Sequence, residues 1–329
     1  FSNDANGALL LEPSRSNLVS YSEDFSQSAW VKTGLSVNSN QIISPDGTLN
    51  ADEVNISAAN SHYLFYSISV SALTNYTFTF YVKKGTATDA SYSILNETNF
   101  TNIVNTTSYF NEISDTNWTR ISVEFTTPSG ATSIRVYPLR DGSSTGTVYI
   151  YGTQLEESSY ATSYIPTSGA AVTRVADVCN NGGNNQVINS TEGVLYFEGS
   201  ALVDETKQRW ISLGSGSNAN RVSILFNATS RISCSVRASS SALYDANFNI
   251  GSQTNYTKAA IRYKNNDFAF FVNGVKANSQ LSGTLSFNSP LSELAFDSAD
   301  SGSPFYGKTS QIQVFTTALT DQELIALTS

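Results

Sequence analysis

At 329 residues the chain is long enough for two ordinary domains, each with its own core. Charged residues are 14% of the total, against about a quarter in a typical globular protein, while aromatics reach 12%, mostly 17 Tyr and 18 Phe; abundant Ser, Thr, Asn, Tyr and Phe suit pleated, half-exposed strands better than helices. The net charge of −9 argues against nucleic acid and anionic membrane surfaces as partners, because both demand a cationic footprint that the lone pair Lys83-Lys84 does not supply.

Taken in chain order, period-two alternation dominates. Leu64, Tyr66, Ile68 and Val70 alternate with other residues, as do Tyr76, Phe78, Phe80 and Val82, then Ile121, Val123 and Phe125, then Val148 and Ile150. Turn signals separate these runs at Ser44-Pro-Asp-Gly47, Lys84-Gly85, Thr127-Pro-Ser-Gly130 and Asp141-Gly142. Trp30 and Trp118 read as anchors of this first core. A break follows Tyr164-Ile-Pro166, and residues 167–191 have little apolar periodicity. A second β-rich block opens at Glu192 and includes Trp210-Ile-Ser-Leu213, Val222-Ser-Ile-Leu-Phe226 and Phe268-Ala-Phe-Phe-Val272. Asn273-Gly274 between apolar runs predicts a type I′ hairpin. The chain closes with a strand near Ser310–Phe315 and a short helix from Thr320, where Glu323 completes a capping-box pattern. The reading is all-β, with two antiparallel sandwiches and a C-terminal helix: 1–166, a linker over 167–191, and 192–329.

No catalytic constellation stands out, and the chain reads as a non-enzyme. Gly142-Ser-Ser-Thr-Gly146 matches the nucleophile-elbow pattern, but the only histidine, His62, lies upstream of it and the setting is a turn. The acidic pairs Glu23-Asp24, Glu156-Glu157 and Asp204-Glu205 are chain neighbours, which point to opposite faces in a strand; glycoside hydrolysis needs two carboxylates from separate places flanking one bond. Cys234 shares the parity of Ile232 and Val236 and reads as a buried thiol, while Cys179 lies in the linker. No apolar run reaches the length of a membrane span. A chain that opens at Phe1 without any methionine reads as a fragment or a processed product.

Two stretches resemble known families. Leu9-Leu-Leu-Glu-Pro-Ser-Arg-Ser-Asn-Leu18, Tyr21-Ser-Glu-Asp-Phe25 with Trp30, and Ser44-Pro-Asp-Gly-Thr48 open a module. It ends in Tyr149-Ile-Tyr-Gly-Thr-Gln-Leu-Glu156 and Ala161-Thr-Ser-Tyr-Ile-Pro-Thr167. That module resembles jelly-roll carbohydrate-binding modules of the family 4/9/22 type found in bacteriophage tail and tail-fibre proteins. Arg209-Trp-Ile-Ser-Leu-Gly214, Tyr263-Lys-Asn-Asn-Asp-Phe-Ala-Phe-Phe-Val-Asn-Gly274 and Ala318-Leu-Thr-Asp-Gln-Glu-Leu324 are similar to laminin G-like, concanavalin A-like sandwiches. The resemblance implies a receptor-binding segment of a virion tail that engages bacterial surface polysaccharide, contacts other tail proteins, and assembles as a homo-oligomer such as a trimer. Two alternatives stand beside it: an accessory binding segment of a secreted polysaccharide-degrading enzyme, and a structural spacer.

Sugar recognition uses flat aromatic faces and planar polar side chains. If Tyr76, Phe78, Phe80 and Val82 face inward, Tyr81 and Lys83 face outward; by the same parity Tyr63, Phe65, Arg135 and Tyr137 oppose the core. With Trp210 of the second block these are the candidate carbohydrate contacts. The alternative is that they are isolated exposed side chains or lie beneath a loop. No cofactor is required by this chemistry. The jelly-roll resemblance implies a structural calcium, for which Glu23, Asp24, Asp46 and Glu156 are candidate ligands, with Asp297 and Asp300 candidates in the second block. None of these stretches has the spacing of a dedicated calcium loop, so solvated acidic loops are the competing reading.

Overall fold

The computed structural model describes residues 7–329. The chain gives β1 (Leu9–Leu11), β2 (Arg15–Asn17), β3 (Trp30–Thr33), β4 (Leu35–Ile43), β5 (Leu49–Ile56), β6 (Tyr63–Ser69) and β7 (Asn75–Lys84). Next come β8 (Ser91–Asn96), β9 (Thr101–Ser108), β10 (Thr119–Thr126), β11 (Ser133–Arg140), β12 (Gly146–Glu156) and β13 (Val172–Arg174). The remainder holds β14 (Glu192–Ala201), β15 (Arg209–Gly214), β16 (Arg221–Ala228), β17 (Arg231–Ala238) and β18 (Ser241–Asn249). It finishes with β19 (Thr257–Lys264), β20 (Phe268–Val272), β21 (Val275–Gln280), β22 (Glu293–Ala295), β23 (Gly307–Phe315) and the helix α1 (Asp321–Thr328). These strands fall into two compact units, one spanning Ser14–Val175 and the other joining residues 7–13 to Ala176–Ser329.

The first unit is a sandwich of two antiparallel five-stranded sheets, ordered β10-β7-β12-β5-β4 and β3-β6-β11-β8-β9. The expected alternation holds. Tyr76, Phe78, Phe80 and Val82 of β7 turn into the core against Leu64 of β6 and Ile134 and Val136 of β11. Trp30 is buried between Phe25 and Tyr66, at ring separations of 4.8 and 5.1 Å. Trp118 is not a core anchor: it is half-buried, and its indole N–H donates to the Ile43 carbonyl. Its parity in the strand pattern was ambiguous because it precedes β10 and lies outside any alternation. A break in the β11–β6 register between Val136 and Leu139 spans Tyr137-Pro138. Proline has no N–H for the ladder, so a bulge is its natural place; beyond the bulge Leu139 returns to the core and Arg140 faces out.

In the second unit the sheets are β1-β23-β14-β19-β20-β21 and β18-β17-β16-β15-β22. Phe197, Ile211, Ile224, Cys234, Ile261 and Phe270 fill the space between them. Both Cys179 and Cys234 are free thiols, and Cys234 packs as a small hydrophobe. Asn273 and Gly274 adopt φ of 48° and 77°, the positive values that a type I′ turn demands. Thr320 caps α1 and Glu323 closes the capping box. The helix lays Leu324 on the outer face of the six-stranded sheet, against Val194, Tyr196 and Phe271.

The compact units differ in extent from the segments expected along the chain. β1 pairs with β23, Leu9 opposite Thr309, and so belongs to the second unit. The expected linker is divided: β13 pairs with β2 in the first unit, whereas Ile188 is buried in the second core and Gly182 bridges Leu294. Alternation reveals that a segment is a strand, not which strand it joins.

Candidate functional site

In the first unit, the outward face of the β3-β6-β11-β8-β9 sheet gathers four of the residues singled out in the sequence. Tyr63 and Phe65 lie on β6, Arg135 and Tyr137 on β11, and the pairing of these two strands sets the residues side by side. Tyr63, Phe65 and Tyr137 form a ring cluster with centroid separations of 5.1, 5.7 and 6.3 Å, joined by Leu95 from β8. The rings are not the open platform that parity alone would suggest. Phe65 is only 6% and Tyr137 only 4% exposed. The Arg135 guanidinium lies 4.5 Å from the Phe65 ring centre, and that of Arg140 lies 4.7 Å from Tyr137. What meets solvent is a pair of cations seated on aromatic faces, with the half-buried Tyr63 beside them.

Neighbouring polar groups hold both guanidiniums. Arg135 Nε donates to Glu97 Oε1 at 2.8 Å, and its Nη2 reaches the same oxygen. Partial burial works against the charged form of Glu97, but hydrogen bonds from Arg135, Ser133 and Ser67 outweigh it and hold the carboxyl below its usual range. Arg140 donates to Ser93 Oγ at 3.1 Å and to Asn102 Oδ1 at 3.3 Å, and its Nε pairs with Asp141. At the tip of the β8–β9 hairpin, Phe100 is 66% exposed, sits at φ 57°, and places its ring 5.4 Å from the Arg135 guanidinium. A phenylalanine in left-handed backbone, open to water, is an uncommon combination. Sequence reasoning missed Arg140 because the bulge reverses its parity. It missed Phe100 because hairpin turns have no parity to read.

The other nominated residues lie elsewhere. Tyr81 and Lys83 occupy the outward face of the opposite sheet, on β7, so Tyr81 does not share a surface with Arg135 and Tyr137. Tyr81 instead packs near Tyr151, Tyr164 and the Arg120 guanidinium, at 6.1, 6.2 and 5.5 Å. Gly152 permits this packing: it adopts φ +60°, and a Cβ there would press on Tyr81 and Tyr164 at 3.1 and 3.3 Å. Trp210 is in the second unit, buried beneath the Arg221 guanidinium at 4.1 Å, and offers no open ring face. His62 is fully buried; its Nδ1 contacts the Ala58 carbonyl, and its Nε2 accepts the Gly142 N–H.

Nor do the acidic residues proposed as calcium ligands converge. Glu23 and Asp46 meet through the Tyr151 hydroxyl, whose oxygen lies 2.9 and 2.8 Å from their carboxylates and whose one hydrogen they share. Asp46 also receives Ser44 and Thr48, and these bonds keep its carboxyl well below the usual range despite slight desolvation. Asp24 is engaged by Ser26 and Gln27, and the buried Glu156 is engaged by Thr162. Asp297 caps Ala299, and Asp300 binds Ser298 and Asn218. Among the described residues no group of three or more His, Cys, Asp or Glu side chains could hold a metal ion. Each of these carboxylates accepts hydrogen bonds from the protein, and of the nominated set Glu23 and Asp24 line one cavity, beside Asp52.

Residues 201–325 match the family model described as the concanavalin A-like lectin/glucanases superfamily. No curated protein matches the chain. The solved structures that resemble it include a sialidase carbohydrate-binding module of Ruminococcus gnavus bound to α2,3-sialyllactose, at 14% identity and a TM-score of 0.38, covering 46% of this chain and 97% of that one. The xylan-binding domain CBM22-1 of Paenibacillus barcinonensis Xyn10C matches at 12% identity and a TM-score of 0.32, covering 48% and 100%. Tailspike protein 4 of bacteriophage CBA120 matches at 16% identity and 0.33, covering 42% and 21%. The lectin-like reading of the second half therefore agrees with the family match over most of its length.

Proposed function

We propose that this chain is a non-catalytic glycan-binding segment, and that its first sandwich binds sugar on the face carrying Tyr63, Phe65, Arg135, Tyr137 and Arg140. The observation that carries the reading is the seating of two guanidiniums on buried aromatic rings on one open sheet face. Ring contacts fix each guanidinium plane, so the N–H groups not already bonded to the protein, Nη1 of Arg135 and Nη2 of Arg140, are held ready for sugar hydroxyls at little entropic cost. Tyr63 and the exposed Phe100 add apolar surface for the C–H faces of a sugar ring. The carboxylates at this face, Glu97 and Asp141, are each committed to an arginine, an arrangement that serves binding rather than proton transfer. The family match over residues 201–325 supports a lectin-like partner module.

The finer reading is that the segment belongs to a bacteriophage tail or tail fibre and recognises bacterial surface polysaccharide. It rests on the sequence motifs at the two ends of the first module. Several copies in one assembly would then raise weak single-site affinity to useful attachment. Screening the chain on an array of bacterial polysaccharides tests the reading. Wild type binds a subset of them, and Arg140→Ala or Tyr63→Ala weakens that binding at least tenfold without changing the fold by circular dichroism. Absence of binding across the array, or full binding by both variants, would overturn it.

A further inference from the structure

The second unit carries an arginine pair that the charge pattern around it leaves without an anion. On the outward face of the β18-β17-β16-β15-β22 sheet, Gly214, Arg221 and Arg237 lie in register across β15, β16 and β17. The adjacent row is Ser212, Ser223, Ser235 and Asp245. Arg221 is 8% exposed, yet the hydrogen bond to its guanidinium is a neutral one, to the Ser298 carbonyl at 3.2 Å, and its Nε has no partner. The half-buried Arg237 makes no side-chain hydrogen bond or ion pair among the described residues. The Ser235 hydroxyl, in the adjacent row of the same face, is buried and also lacks a partner.

Other buried arginines of this unit are treated differently. Arg209 is paired with Glu205, and Arg262 with Asp267 and Asp321. Burying a guanidinium without a countercharge is costly, and two placed side by side repel each other. Burial, then the charge of Arg237, draws Arg221 below the usual arginine range, while Asp300 and Asp245 attract it from beyond ion-pair distance. A bound anion would remove both penalties.

We propose that this face binds the carboxylate of an acidic sugar. A planar carboxylate matches the guanidinium fork, and Ser235 supplies a further O–H. Arg237, with no side-chain hydrogen bond or ion pair among the described residues to break, turns to admit the ligand. Asp245 and Asn247 stand exposed on β18, on the same face, as partners for sugar hydroxyls. The nearby Asp245 and Asp300 disfavour multiply charged anions such as phosphate and polyanionic chains, while a singly charged uronate is tolerated. The site is on a different module from the one proposed above and does not depend on it.

The test titrates the full chain with a glucuronate-containing tetrasaccharide and with its carboxyl-reduced counterpart, following binding by calorimetry. The acidic sugar binds, and reducing the carboxyl weakens binding at least tenfold. Arg237→Gln, on the accessible side of the pair, produces a comparable loss with an unchanged thermal midpoint, and Ser235→Ala a smaller one. Tyr63→Ala in the first module leaves the affinity for the acidic sugar intact. Equal affinity for both sugars, wild-type binding by Arg237→Gln, or displacement of the sugar by inorganic phosphate or a polyglutamate peptide at lower concentration would each overturn the assignment.

Discussion

Asp52 accepts the backbone N–H groups of Phe25 and Asn40 at 2.9 and 3.0 Å from a position that is almost wholly buried. Burial is the largest influence on it and, with Asp24 adding repulsion, pushes its carboxyl up to about 6 against the two N–H donors and Lys32. A carboxyl whose folded value is raised contributes stability in its protonated form; that contribution is complete below about 4 and is lost as the pH climbs through about 6. Glu97 works in the opposite sense: its value is lowered, so its contribution is present at neutral pH and disappears on acidification. We expect the Asp52 carboxyl carbon to titrate by nuclear magnetic resonance with a midpoint near 6, whereas a midpoint near 4 would contradict the burial argument. At this scale the sequence was informative about direction and silent about depth. Parity placed Tyr63, Phe65, Arg135 and Tyr137 on the side away from the core. That Phe65 and Tyr137 sink beneath guanidiniums depends on arginine side chains from a bulged strand, which a linear pattern does not encode.

Among the elements, α1 shows how far local signals reach. Thr320 accepts the Glu323 N–H while Glu323 returns a bond to the Thr320 N–H, a reciprocal cap legible from four letters. Thr320→Ala should cost about 1 kcal/mol, lowering the thermal midpoint of the second unit by a few degrees; no change would mean that Leu324 packing alone holds the helix. The Asn273-Gly274 hairpin was equally legible, because its backbone demand is local. Strand partners were not. β7 pairs with β10 and β12, and β11 with β6 and β8, so Tyr81 and Tyr137, alike in pattern, face away from each other on opposite sheets. That is why Tyr81 and Lys83 do not join the other nominated sugar contacts of the first unit.

For the whole molecule, two sandwiches were foreseeable from the alternating runs, but their extents were not. Leu9 to Leu11 form the edge strand beside β23, and Leu11 packs in the second core. Removing residues 1–13 should therefore lower the melting transition of the second unit by several degrees and leave that of Ser14–Val175 in place, as calorimetry would show. A shift in the first unit instead would contradict the strand assignment.

The placement of β1 also constrains the order in which the protein can be made. A nascent chain emerges from its N-terminal end, so Leu9 to Leu11 leave the ribosome ahead of every strand of the first unit, whereas Thr309, Lys308 and Gly307 opposite them follow all of those strands. All the strands of Ser14–Val175 are available long before that, so this unit can close while the segment ahead of it dangles without a mate. The second unit is then sealed only when β23 reaches back across the whole intervening chain to β1.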